Sequence, residues 1–78
     1  MDNKNIWWIK DMLKRGLRRY DVCIEDDGNK IFVYVYGYDN LSERHQYNID
    51  SEIEAICDAH GLGVDVQNGD PWCWTIEG

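Results

Sequence analysis

The sequence predicts an α+β fold: one two-layer domain over residues 1–78, in which two helices pack with an antiparallel β-sheet of four to five strands. Three observations support this prediction. A chain of 78 residues has room for one hydrophobic core only. Its apolar fraction of 44%, with four Trp and five Tyr, is high enough to form that core. Apolar residues recur at helical spacing in two segments and alternate with polar residues in others, which predicts the element order α-β-β-(β)-α-β-β.

The first helix is predicted over residues 3–19. Asp2 is placed to cap its N-terminus, and four basic residues near its end complement the helix dipole. Trp7 and Trp8 point about 100° apart on a helix, so at least one of them should lie outside the core. The residues predicted for the buried face share helical spacing and are Ile6, Ile9, Leu13, Leu17 and Tyr20.

The following segment predicts a β-hairpin. Tyr20, Val22 and Ile24 alternate with polar residues, which indicates a strand with one buried face. Residues 26–29, Asp-Asp-Gly-Asn, favour a tight turn. The second strand, over residues 30–38, is apolar on both faces, so we expect it at the centre of the sheet with one face against a helix. Its other face should present aromatic side chains, namely Phe32, Tyr34, Tyr36 and Tyr38.

The second half of the chain begins with a predicted loop at residues 39–44 and a short third strand at residues 45–49. A second helix should start at Ser51, because Ser51 and Glu54 have the spacing of a capping box. Gly61 is a suitable residue to end that helix. Its inner face is predicted to contain Ile53, Ile56, Cys57 and His60.

A second hairpin is predicted at the end of the chain. Its strands cover residues 63–67 and 72–76, and they flank Asn68-Gly69, a pair that strongly favours a hairpin turn. Pro71 cannot donate a backbone hydrogen bond, so it should lie at the start or on the edge of a strand.

The sequence contains no motif of a catalytic or metal site. Three cysteines, Cys23, Cys57 and Cys73, lack the paired spacing of zinc ligands, so we expect reduced thiols. Cys57, Asp58 and His60 contain a nucleophile, an acid and a base, but Cys57 and Asp58 would point about 100° apart on a helix. We therefore expect a protein without catalytic residues, metal ligands or cofactors.

The expected location is the cytoplasm. No segment approaches the roughly 20 apolar residues of a membrane span, and the first residues lack the apolar run of a signal peptide. An odd number of cysteines without a disulfide pattern fits the same compartment.

Charge is divided unevenly along the chain. Residues 1–19 carry six basic and two acidic side chains, a net charge of +4, whereas the remaining 59 residues carry two basic and thirteen acidic side chains, a net charge of −11. Such a field favours a partner with a basic surface and opposes nucleic acid over most of the molecule. The basic first helix, with Trp7 as a stacking ring, leaves direct nucleic-acid binding open as a less favoured alternative.

The acidic surface supplies the candidate binding residues. Its carboxylates either keep the protein in solution or imitate phosphates toward a basic groove, as in a DNA mimic. Exposed tyrosines would add rigid contact area. The predicted partner-binding residues are Glu25, Asp26, Asp27, Asp39, Glu43, Glu52, Glu54, Asp58, Tyr34 and Tyr36.

In size, acidity and the order of helix, hairpin-rich sheet and helix over residues 3–60, the chain resembles the small acidic anti-CRISPR proteins that phages encode against bacterial defence. This resemblance implies a non-catalytic inhibitor in the bacterial cytoplasm. Its acidic face would occupy the nucleic-acid-binding surface of a CRISPR effector subunit, and the protein would be a monomer or a homodimer. Two other functions remain open: an immunity or antitoxin-like protein that neutralises a basic nuclease, and an adaptor that docks or dimerises through its basic N-terminal helix.

Overall fold

The computed structural model describes residues 2–78 and confirms the α+β fold with two helices and four antiparallel strands. Its elements follow the order α-β-β-α-β-β. Their bounds are α1 Asn3–Gly16, β1 Val22–Asp26, β2 Lys30–Val35, a 3₁₀ turn at Tyr38–Asn40, α2 Glu43–Ala59, β3 Gly63–Gln67 and β4 Trp72–Glu77.

The strands lie in the order β1-β2-β4-β3, and every neighbouring pair is antiparallel. The prediction that the second strand is central is therefore confirmed. Val33 of β2 pairs with Ile24 of β1 on one side and with Trp74 of β4 on the other. Because side chains alternate along each strand, these three residues share one face of the sheet.

The core forms between this face of the sheet and the two helices. Trp74, which is 1% exposed, is the largest of its fully buried side chains. The buried face of α1 was predicted correctly for its four aliphatic residues, while Tyr20 is partly buried. The core comprises Ile6, Ile9, Leu13, Leu17, Ile24, Ile31, Val33, Val35, Tyr38, Ile49, Ile53, Cys57, Trp74 and Ile76.

Helix α1 begins where the sequence predicts but ends three residues earlier. The Asp2 carboxylate accepts a hydrogen bond from the Lys4 amide, which confirms the N-cap. The helix stops at Gly16, a poor helix former, and the next residues turn the chain toward β1. Strand β1 consequently starts at Val22 rather than at Tyr20.

The predicted third strand at residues 45–49 is wrong, because these residues belong to α2. The helix begins after Ser42, whose hydroxyl accepts a hydrogen bond from the His45 amide at 3.4 Å. Ser51 therefore lies inside the helix and does not cap it. Ile49 and Ile53 are both buried, and they lie four residues apart, which is the spacing of one helix face. Helical spacing of apolar residues therefore begins within the segment that was predicted as a strand.

Strand β2 ends at Val35, so the predicted extension to Tyr38 is also wrong. Gly37 adopts a φ of +71°, a conformation that favours glycine, and the chain turns back toward the core. Tyr38 is consequently buried, with its ring 4.5 Å from the Trp72 ring and 5.1 Å from the Trp74 ring, measured between centroids. Its hydroxyl donates to the Asp50 carboxylate at 3.0 Å.

The predicted second hairpin is confirmed as β3 and β4, joined by a four-residue loop at residues 68–71. Pro71 directly precedes β4, as expected for a residue that cannot donate to the ladder. Gly61 follows α2 with a φ of +64°, which agrees with its predicted role at the helix end. His60 is exposed and caps the helix, so its predicted place on the inner face is wrong.

The start of α2 can be tested by two serine substitutions. Ser42→Ala should lower the free energy of unfolding by about 1 kcal/mol, because it removes the N-cap acceptor. Ser51→Ala, the matched control within the helix, should leave it unchanged or raise it by up to about 0.5 kcal/mol. Urea unfolding followed by tryptophan fluorescence measures both values. The reverse order of effects would place the helix start at Ser51.

Candidate functional site

One side of α2 gathers carboxylates around an exposed tyrosine. Positions 43, 47, 50, 54 and 58 are spaced by four, three, four and four residues, which confines them to an arc of about 80°. They extend over about 22 Å of helix. We call these residues the acidic flank, and they are Glu43, Tyr47, Asp50, Glu54 and Asp58.

The acidic flank carries uncompensated negative charge. The three ion pairs found within residues 2–78 join Lys10 to Asp26, Arg15 to Asp11 and Lys30 to Glu77, and α2 takes part in none of them. Glu43, Glu54 and Asp58 are exposed. Like charges four residues apart on a helix destabilise it by a few tenths of a kcal/mol, so helix stability does not explain Glu54 and Asp58.

Two aromatic residues shape the acidic flank. The side chain of Tyr47 is 70% exposed between the carboxylates. Asp50 is held in place by the Tyr38 hydroxyl, which donates to it at 3.0 Å. Burial, and then this hydrogen bond to a carboxylate, raise the pKa of Tyr38 to about 12, so the hydroxyl keeps its proton at neutral pH. The Tyr38 hydroxyl therefore links Asp50 of the acidic flank to the core.

Glu52 lies on the opposite side of α2, facing α1. A side chain at Gly16 would collide with the Glu52 carboxylate, so the absence of a Cβ there allows the helices to approach. The same side of α2 presents His45, whose Nδ1 lies 2.9 Å from the Tyr20 hydroxyl. Glu52 is thus separated from the acidic flank, although both belong to one helix.

The carboxylates of the β1–β2 turn are engaged within the chain. Asp26 accepts hydrogen bonds from Lys10 Nζ at 2.7 Å and from the Gly28 amide at 3.0 Å. A single oxygen of Asp27 accepts from the amides of Asn29 and Lys30. The Lys10 bond is the main cause that lowers the pKa of Asp26, and the two amides lower that of Asp27. Both side chains stabilise the turn.

Three further predicted residues lie on other surfaces. Asp39 lies in the 3₁₀ turn after β2 and accepts a hydrogen bond from Trp72 Nε1 at 3.0 Å. Glu25 and Tyr34 lie on the face of the sheet away from the helices. Burial raises the pKa of Tyr34 above its usual value.

Tyr36 follows β2 and is 45% exposed. The structure therefore brings together Glu43, Glu54 and Asp58 of the predicted set, and it places the other seven elsewhere. Of those seven, Glu25, Asp26 and Asp27 lie near the β1–β2 turn, where β1 is the sheet edge opposite β3.

Sequence reasoning missed Tyr47 and Asp50. The prediction placed Tyr47 in a strand at residues 45–49 and left Asp50 between that strand and the predicted helix start at Ser51. The signal was present in the sequence, since Ile49, Ile53 and Cys57 recur every four residues and Ser42 precedes them as a suitable cap.

The described residues also bear on three other features: a metal site, a reactive cysteine and a membrane-spanning helix. Within residues 2–78, no three side chains of His, Cys, Asp or Glu converge to hold a metal ion. Burial raises the pKa of Cys57 to about 11, which keeps its thiol protonated at neutral pH. Neither helix of this part of the chain is long and apolar enough to cross a membrane.

A comparison of the chain with models of known protein families finds no match, and a comparison with curated proteins finds no similar sequence.

Acid should weaken the β1–β2 turn. The folded-state pKa values of Asp26 and Asp27 lie below the unfolded value of about 3.9, so their contribution to stability is complete above that pH and is lost as the pH falls through the lower folded values. The free energy of unfolding should therefore decrease below about pH 4. Asp27→Asn should make this decrease smaller, because asparagine accepts the same two hydrogen bonds without titrating.

Urea unfolding at a series of pH values measures this effect. Asp65→Asn is the matched control, since Asp65 lies exposed on β3 and accepts no hydrogen bond among the described residues. An identical pH dependence for Asp27→Asn and the wild-type chain would contradict a stabilising charge at Asp27.

Proposed function

We propose that the protein is a non-catalytic inhibitor that binds a nucleic-acid-handling complex of bacterial defence, with the acidic flank of α2 against a basic nucleic-acid-binding surface. One observation carries this proposal: four carboxylates are aligned on one side of a rigid helix, without an ion pair among the described residues. A row of fixed negative charges is the pattern that a cleft lined with Arg and Lys accepts.

The arrangement suits binding more than turnover. Glu43, Glu54 and Asp58 are exposed at the surface, where water weakens each charge. Asp50 is half-buried and accepts a hydrogen bond from the buried Tyr38 hydroxyl. Exposed charges act mainly on the rate of association and on the choice of partner. Tyr47 adds a rigid aromatic ring of the kind that supplies contact area at interfaces.

The partner class follows from the resemblance to anti-CRISPR proteins together with the charge pattern. A CRISPR effector holds its nucleic acid in a positively charged channel, and a row of carboxylates would compete with phosphates there. A basic nuclease toxin offers the same electrostatic complement, so an immunity function is the second candidate. The acidic flank favours both over an adaptor built on α1, because aligned carboxylates match a basic surface and helix stability does not explain them.

Three substitutions on the acidic flank test the proposal. The variant Glu43→Gln/Glu54→Gln/Asp58→Asn keeps the size of each side chain and removes three negative charges. The measurement is target-DNA binding by purified CRISPR effector complexes of different types, with the wild-type chain or the variant added in equimolar amount. We expect the wild-type chain to block at least one effector type, and the variant to bind that effector roughly 10- to 100-fold more weakly.

A matched variant, Glu25→Gln/Asp65→Asn/Asp70→Asn, removes the same number of exposed charges away from α2 and should keep most of the inhibition. Equal losses in both variants would reject the acidic flank as the contact. If no effector type is blocked but a basic nuclease is neutralised by the wild-type chain and not by the flank variant, the immunity function replaces the anti-CRISPR function.

A further inference from the structure

The outer face of α1 differs from the rest of the molecule in both charge and exposed aromatic area. The side chain of Trp7 is 72% exposed and that of Trp8 is 61% exposed. The apolar stripe of α1 is already used in the core, so neither indole is required for folding. Two adjacent exposed tryptophans are costly to hydrate and indicate a contact surface.

A cleft of about 410 Å³ lies at this face, lined by Asn3, Lys4, Trp7 and Trp8. It is a shallow depression open to solvent, because all four residues lie in the first turns of one helix. Its lining is almost entirely apolar. It matches the face of a planar ring, and an anionic group attached to that ring would have to reach the cations beyond it.

Basic side chains continue from this cleft along the helix. These basic side chains are exposed. Among the described residues, one of them forms an ion pair: Arg15 with Asp11, at 3.2 Å. Lys14 and Arg15 lie in the last turn of α1, and Arg18 and Arg19 follow in the turn after Gly16. We call this set, together with the two tryptophans, the basic face; its cations are Lys4, Lys14, Arg15, Arg18 and Arg19.

We infer that the basic face binds single-stranded nucleic acid: unpaired bases stack on Trp7 and Trp8, and the phosphates that follow contact the cations at and beyond the end of α1. Stacking rings beside a track of Lys and Arg are the features that bind single strands without regard to sequence. The site uses none of the acidic-flank residues and goes beyond the proposed inhibitor function.

The geometry favours a single strand over other polyanions. In a duplex the base faces are stacked on one another and closed to an indole, and an acidic peptide has no ring to place in the cleft. A membrane surface would require an apolar stripe along the outer side of the helix. In α1 that stripe, formed by Ile6, Ile9, Leu13 and Leu17, faces the core.

The net charge of −7 opposes this binding only in part. Electrostatic interactions between exposed charges decay over about 8 Å at physiological salt. The acidic flank lies on the side of α2 that faces away from α1, since His45 and Glu52 occupy the side toward α1. Two carboxylates lie beside the basic face, Asp11 paired with Arg15 and Glu52 near Arg19. The five cations outnumber them, so a strand on this face meets a net positive local charge.

A labelled single-stranded DNA of about 12 nucleotides, within the usual site sizes for such proteins, provides the test. Anisotropy should show binding that weakens as salt rises from about 50 to about 200 mM. Trp7→Ala/Trp8→Ala should weaken binding by at least about 10-fold. Arg18→Gln/Arg19→Gln should reduce the slope of log affinity against log salt by about 0.7 for each phosphate contact removed.

Arg44→Gln, an exposed cation on α2, is the matched control and should leave affinity and slope nearly unchanged. Circular dichroism confirms that each variant is folded. Absence of binding at low salt, or equal binding by all variants, would overturn the inference. So would duplex DNA or polyglutamate that competes as well as the single strand, or binding to phosphatidylserine vesicles without binding to the strand.

Discussion

The burial of one sheet face under two helices is the constraint on which the rest of the structure depends. Trp74 occupies the middle of that interface, with Val33 beside it on β2 and the ring of Tyr38 against it. Each helix must turn its single apolar stripe inward, since in a chain of this size there is no second core to receive it. The directions of all other helical side chains follow from this requirement.

Because of this constraint, the basic N-terminal segment and the acidic remainder of the sequence form separate surfaces of the folded protein. Helix α1 points its apolar stripe at the sheet, so its cations and both exposed tryptophans face outward. Helix α2 does the same, and all of its carboxylates except that of Glu52 emerge on the side away from α1. The Tyr38 hydroxyl connects Asp50 to the core, which orients part of the acidic flank. The molecule thus has two surfaces of opposite sign on one rigid scaffold, and we propose a separate ligand class for each.

The sequence predicts the fold well where hydrophobic periodicity is long and undisturbed. The first helix, both hairpins and the central place of β2 follow from such patterns. Prediction fails at residues 36–38, where the turn at Gly37 ends β2 early. It fails again between residues 42 and 51, because a helix whose first turns carry one buried residue, Ile49, resembles a short strand there. This one error also divided the candidate site, since it separated Glu43 from Glu54. The engagement of Asp26 and Asp27 in their own turn depends on side-chain geometry that spacing does not reveal.

The central claim, two surfaces of opposite charge with different ligands, is tested most directly by NMR on the isotope-labelled chain. Backbone amide shifts are measured during separate titrations with an arginine-rich peptide and with a single-stranded oligonucleotide. The account predicts that the peptide shifts amides along residues 43–58, and that the oligonucleotide shifts those of residues 3–19. Perturbation of the same residues by both ligands, or of the open sheet face around Tyr34 alone, would contradict it.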